Sequence, residues 1–222
     1  MNIRSFLARF VADRSAASAA EFALVVPTFL LLFLGTIDVG RFIWHVNENE
    51  KAAQIGARWA VVTDIIPGGE EGCGTIGATD AGLRCFSYAI NGITPQGLTV
   101  PAADFPTVTC EAPTGTLACS CDGDCPFSTD IDSVAQASFD RIVGRMNAIQ
   151  PRLNEENVVV RYEWSGLGYS GDPTGPDVAP LVTVQVQRLS FRPLFLAGFL
   201  ALGIPGAQYS LTMEDGDGTY GN

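Results

Sequence analysis

Six cysteines, one histidine, a glycine-rich turn and a carboxylate at the edge of an apolar run are the residues with which this chain could do chemistry. The cysteines are Cys73, Cys85, Cys110, Cys119, Cys121 and Cys125. Their even number suits disulfides, each worth about 2–4 kcal/mol in a segment with little core of its own. Structural zinc is the rival, because the last four cluster closely, yet they contain no CxxC pair. The sequence does not choose among the possible pairings. His45 is the only histidine and stands far from any Ser, Cys or Asp arrangement resembling a triad. Gly166, Gly168 and Gly171 form GxGxxG after an expected strand, as a dinucleotide site requires. The following Asp172-Pro173-Thr174-Gly175-Pro176 cannot open a phosphate-binding helix, so a loop is expected there. Asp122 with Asp124, and Asp215 with Asp217, carry part of a calcium-loop spacing without the remaining ligands. No catalytic residue, metal site or cofactor is therefore expected. Lys and Arg number 13 against 24 Asp and Glu, a net charge of −11 that argues against a nucleic-acid partner.

The carboxylate is Glu21, and the element that must hold it is a membrane-length helix. From Phe22 to Ile37 nothing is charged, which at helical rise spans roughly 24 Å, or about 33 Å with the small residues from Ala16 onward. A cleaved secretory signal would place its small residues after the apolar run, whereas Ser15–Ala20 precede it. An uncleaved anchor with membrane lipid around it is expected. Arg4, Arg9 and Arg14 precede the span, so the N-terminus is expected in the cytoplasm and the rest outside, where cysteines oxidise. Pro27 removes one helical hydrogen bond within two turns of Glu21, and an ionised Glu21 in lipid calls for a partner.

Beyond the span, Val39, Phe42, Ile43 and Val46 follow helical spacing, and Ala52, Ile55, Gly56, Trp59 and Val62 resume it. One helix of about forty residues is expected. Residues 67–128 are rich in Gly, Pro, Thr and Cys and read as loops and short strands. Thr129 or Asp130 is expected to cap a helix with Ile131, Val134, Ala135, Ile142, Met146, Ile149 and Leu153 on one stripe. Strands are expected at NVVVRYEW, where Val158, Val160, Tyr162 and Trp164 alternate with Val159, Arg161 and Glu163, at LVTVQVQRLSF, where Val182, Val184 and Val186 alternate with Thr183, Gln185 and Gln187, and at QYSLTME. The apolar block 192–206 is bounded by Pro193 and Pro205 and too short to cross a bilayer, so a buried or interface-facing connection is expected. The fold class is α+β: a long N-terminal transmembrane and amphipathic helix, then an antiparallel sheet head with one further helix and a disulfide-braced loop region. The organisation is a basic cytoplasmic leader at 1–16, the long helix at 17–64 and an extracytoplasmic head at 65–222.

The stretch AAEFALVVPTFLLLFLGTIDVGRF followed by NEKAAQIGARWAVV resembles the TadE-like family of tight-adherence pilus assembly proteins, relatives of type IV pilin-like pseudopilins. The resemblance rests on Glu21, Phe22, Pro27, Gly40-Arg41 and Gly56-Ala57-Arg58, and it implies a pilin-like head. It implies prepilin cleavage between Ala16 and Ala17, making Glu21 the fifth mature residue, although such peptidases favour Gly where this chain has Ala16. It implies subunit packing in the membrane through Glu21, Phe22, Pro27, Asp38, Gly40 and Arg41, with Glu21 offsetting a neighbour's terminal ammonium. The implied partners are other pilins and pseudopilins of the same system, inner-membrane platform proteins and a prepilin peptidase. The expected function is that of a non-enzymatic minor pilin or pseudopilin in a bacterial inner membrane, with its head in the periplasm. The alternative is an uncleaved anchor presenting a cysteine-braced adhesion or sensing domain, and an enzyme comes third.

Overall fold

The computed structural model describes residues 14–68, 81–173, 175–196 and 202–213. Helix α1 runs from Arg14 to Ala60 without interruption at Pro27. The chain divides into two compact units. One comprises the chain up to Trp44 with Phe191–Leu202, the other His45–Ser190 and everything from Gly203.

The larger unit is built on a five-stranded antiparallel sheet of order β2-β1-β3-β4-β7. Its strands are β1 (Val108–Glu111), β2 (Ala118–Cys121), β3 (Val158–Glu163), β4 (Leu181–Val186) and β7 (Ala207–Thr212). Two-residue strands β5 (Ser190–Phe191) and β6 (Leu202–Gly203) pair with each other. The alternation in the sequence sets the register. Val158, Val160 and Tyr162 lie opposite Val186, Val184 and Val182, and all six are fully buried. Against this sheet lie α2 (Ser133–Asn147), through Phe139, Ile142 and Met146, and the last turns of α1.

The buried face of α1 in this unit is not the large-residue stripe that periodicity suggests. Ala52, Ala53, Gly56, Ala57 and Ala60 are buried, whereas Ile55 and Trp59 lie half-exposed at its margins. Small residues permit a close approach: a Cβ on Gly56 would stand 2.5 Å from Met146 Sδ and 3.0 Å from Val184 Cγ1. Trp59 instead carries the Arg145 guanidinium 4.1 Å above its ring.

Helix α2 starts later than expected. Its cap is Asp132, whose Oδ1 accepts from the Ala135 N–H at 2.7 Å, because Asp130 is already engaged with Ser128 in the preceding turn. It also stops earlier, at Asn147, whose side chain donates to the Leu153 carbonyl at 2.7 Å. Ile149 therefore falls outside the helix and is exposed, while Phe139 and Val143 join the buried stripe. Gln150 turns inward and donates to Glu48 at 3.2 Å and Asn49 at 3.1 Å on α1.

Two disulfides that brace the loop region lie wholly among the described residues. Cys110–Cys119 bridges directly opposed residues of β1 and β2, and Cys121–Cys125 closes the turn that follows. Cys85 is also disulfide-bonded, and Cys73 lies outside the described residues. Loops and short strands were expected over 67–128, and the strands there are the four-residue β1 and β2, too short for alternation to fix their positions from sequence.

Candidate functional site

The smaller unit holds the feature that demands a functional explanation: a helix most of whose large apolar side chains face outward. Phe22 is 71% exposed and Leu24 77%, and Phe29, Leu32, Phe33, Ile37, Val39 and Ile43 are exposed as well. Such a surface on a water-soluble protein would be buried, so a lipid or protein environment is required. Among the described residues this is the one helix long and apolar enough to cross a membrane.

At the end of the uncharged run the helix carries a polar clasp. Asp38 is only 2% exposed. Its carboxylate accepts from three successive backbone N–H groups, those of Leu194 at 2.8 Å, Phe195 at 2.8 Å and Leu196 at 3.0 Å. Arg41, one turn on, brings Nη1 within 3.4 Å of the same carboxylate and lays its guanidinium 5.5 Å from the centre of the Phe191 ring. Phe42 meets Phe191 edge-on at 5.5 Å. Below the clasp, Leu31, Leu32, Gly35, Thr36, Val39 and Leu196 line an apolar groove of about 390 Å³.

The sequence-derived residues divide accordingly. Glu21, Phe22 and Pro27 are exposed on the outward surface, as is Gly40, around which a Cβ would meet nothing within 4 Å. Asp38 and Arg41 are occupied within the chain itself. The Ala16–Ala17 bond lies in the opening turns of α1, and the leader residues 1–13 lie outside the described residues. Sequence reasoning missed the partners of Asp38. They are backbone amides, which every residue but proline possesses, so the one available hint was an acid placed immediately after an apolar run.

The decoys resolve into local structure. Gly166, Gly168 and Gly171 all have positive φ, from 77° to 91°, and the chain after them continues as a loop. Asp177 anchors that loop by accepting from the Tyr88 N–H at 2.7 Å and from the Ser87 hydroxyl at 3.1 Å. Asp122 and Asp124 sit exposed in the turn closed by Cys121–Cys125, and Asp215 and Asp217 lie outside the described residues. His45 Nδ1 lies 3.0 Å from Glu48 Oε2 on the same helix.

Residues 16–58 match the family model described as TadE-like protein. The N-terminal helix is thus similar to that family. The match begins just before Glu21, runs through the exposed apolar surface and the Asp38 clasp, and ends in the Gly56-Ala57-Arg58 turn that packs on the sheet. A likeness to that family suggests involvement in tight-adherence pilus assembly alongside other proteins of that system. No curated protein and no solved structure matches the chain. The similarity thus covers the N-terminal helix, while the sheet, α2 and the disulfides lie outside the matched range.

Proposed function

We propose that this protein is a minor pilin or pseudopilin that acts by packing its N-terminal helix against those of other pilus subunits, without catalysing a reaction. The supporting observation is the outward apolar surface of the TadE-like segment, with Glu21 as the acidic residue at its leading end. In lipid an ionised carboxylate is costly unless compensated, and the terminal ammonium of a neighbouring processed subunit supplies the opposite charge. The helix then crosses the inner membrane with its N-terminus in the cytoplasm, and the sheet head with its disulfides lies in the periplasm, where oxidation is favoured. Inner-membrane platform proteins and a prepilin peptidase complete the set of partners.

Glu21→Ala tests the packing. The variant inserts in the membrane as the native chain does but no longer co-purifies with other pilus subunits. Normal co-purification would overturn the mechanism. A second reading is favoured by one residue, Ala16, which stands where prepilin peptidases prefer glycine. On that reading the chain is a permanent anchor presenting a disulfide-braced adhesion or sensing head. The N-terminal sequence of the protein from its native membrane separates the two: a start at Ala17 supports the processed pseudopilin, and a retained leader supports the anchor.

A further inference from the structure

We propose that Leu194, Phe195 and Leu196 form a loop tip that dips into the lipid leaflet at the C-terminal end of the span, held there by Asp38. Depth is the first argument. Leu196 lines the groove formed by Leu31, Leu32, Gly35, Thr36 and Val39, and a Cβ on Gly35 would lie 3.9 Å from Leu196 Cδ1. Gly35 precedes Asp38 by about 4.5 Å along the helix and Leu31 by about 10 Å. The tip therefore lies beside the uncharged run, on the membrane side of Asp38.

Backbone chemistry is the second argument. Non-helical chain is excluded from hydrocarbon because its N–H groups find no water. Here three successive N–H groups at the tip all donate to one buried carboxylate, and Arg41 faces that carboxylate. A loop lying in water would gain little from such provision, since solvent would satisfy the same groups.

The exposed surface supplies the third argument. Leu194 is 64% exposed and Phe195 47%, and Pro193 and Leu196 on either side of them are uncharged. Arg192, exposed just before the tip, suits the phosphate headgroups above it. This apolar surface continues that of Leu31, Leu32 and Val39, so the medium that covers the span covers the tip too. The inference requires that α1 cross a membrane, but it does not depend on a role in a pilus.

Photocrosslinking of the full-length chain in phosphatidylethanolamine and phosphatidylglycerol nanodiscs tests it. Phe195→p-benzoylphenylalanine is compared with the same probe at Phe29 in the span and at Leu98, an exposed position in the larger unit. Intact mass reads the adducts. Phospholipid adducts at 195 are expected within about threefold of those at 29 and at least about tenfold above those at 98. Asp38→Ala should reduce the yield at 195 towards that at 98 and leave 29 unchanged. Labelling at 29 without labelling at 195, or protein-only adducts at 195, would overturn the lipid-dipping tip and leave the span intact. An unchanged yield at 195 in Asp38→Ala would overturn the clasp. Failure at both 29 and 195 would overturn the span together with the tip.

Discussion

Replacing Gly56 by alanine places a methyl group where the structure has no room for one. The new Cβ would stand 2.5 Å from Met146 Sδ, 2.9 Å from Met146 Cγ and 3.0 Å from Val184 Cγ1. Met146 and Val184 are both fully buried, so neither can swing into solvent to make space. Overpacking of this kind costs about 1–3 kcal/mol. The better helix propensity of alanine offsets about 0.8–1 kcal/mol of that. A net loss of roughly 1 kcal/mol is expected, which lowers the melting temperature by about 2–4 °C for a chain of this size. Thermal denaturation of the full chain in detergent, followed by near-ultraviolet circular dichroism, reads the shift. The decisive comparison is the same substitution in a Met146→Ala background. Removing the thioether opens the space, so Gly56→Ala becomes neutral or stabilising there, a coupling of about 1–2 kcal/mol. If the two changes instead add to within about 0.5 kcal/mol, the close approach of helix to sheet is not what requires glycine, and the reasoning fails.

Tyr162 is fully buried, which pushes its phenol well above the ordinary value of 10.0, and its hydroxyl oxygen accepts from the Ile66 N–H at 3.2 Å. Tyr162→Phe orphans that donor at a cost of about 1–3 kcal/mol. Because the folded state holds the proton that the unfolded state releases, stability is full below pH 10 and falls as pH rises beyond it. The variant should lose its stability less steeply in that alkaline range, with Tyr88, also raised by burial, maintaining part of the slope. Alkaline melting series on both proteins check the sign. For the disulfides, loop closure orders the effects: Cys110 and Cys119 are 9 residues apart, Cys121 and Cys125 only 4. Replacing the first pair with alanines should cost about 2.7 kcal/mol and the second about 2 kcal/mol. A reversed order in denaturant titrations would show that chain entropy is not the governing factor.

The parts of this fold legible in the sequence are those where one periodic property dominates. The uncharged run after Glu21, the valine alternation of β3 and β4, and the final strand each repeat a signal over six or more positions. Shorter or shared signals were harder to read. The capping acid of α2 sits among Thr129, Asp130 and Asp132, and only the side chain already used by Ser128 excludes Asp130. The buried face of α1 is marked by alanine and glycine, which weigh little in a hydrophobic pattern although they set the distance between helix and sheet. The candidate site was half legible: Glu21 and the span stand out by chemistry, whereas the Asp38 clasp joins residues 156 to 158 positions apart through backbone groups.

The two stretches of α1 obey opposite rules. Up to Ile43 large side chains point outward, and from Ala52 onward small ones are buried. A helix serving only as a tether would need no such second stretch, and one serving only as a core helix would not expose Phe22, Leu24, Phe29 and Phe33. The TadE-like match runs through both stretches and stops at residue 58, so in this chain the matched segment is a helix suited to two surroundings at once. The disulfide-braced hairpin, α2 and the sheet fall outside that matched segment. On the proposed reading, the capacity to join an assembly therefore resides in residues 16–58, and whatever distinguishes this subunit from others in the same assembly resides in the head. Exchanging the segments from residue 61 onward between two such subunits should transfer the place in the assembly and leave the ability to assemble unchanged.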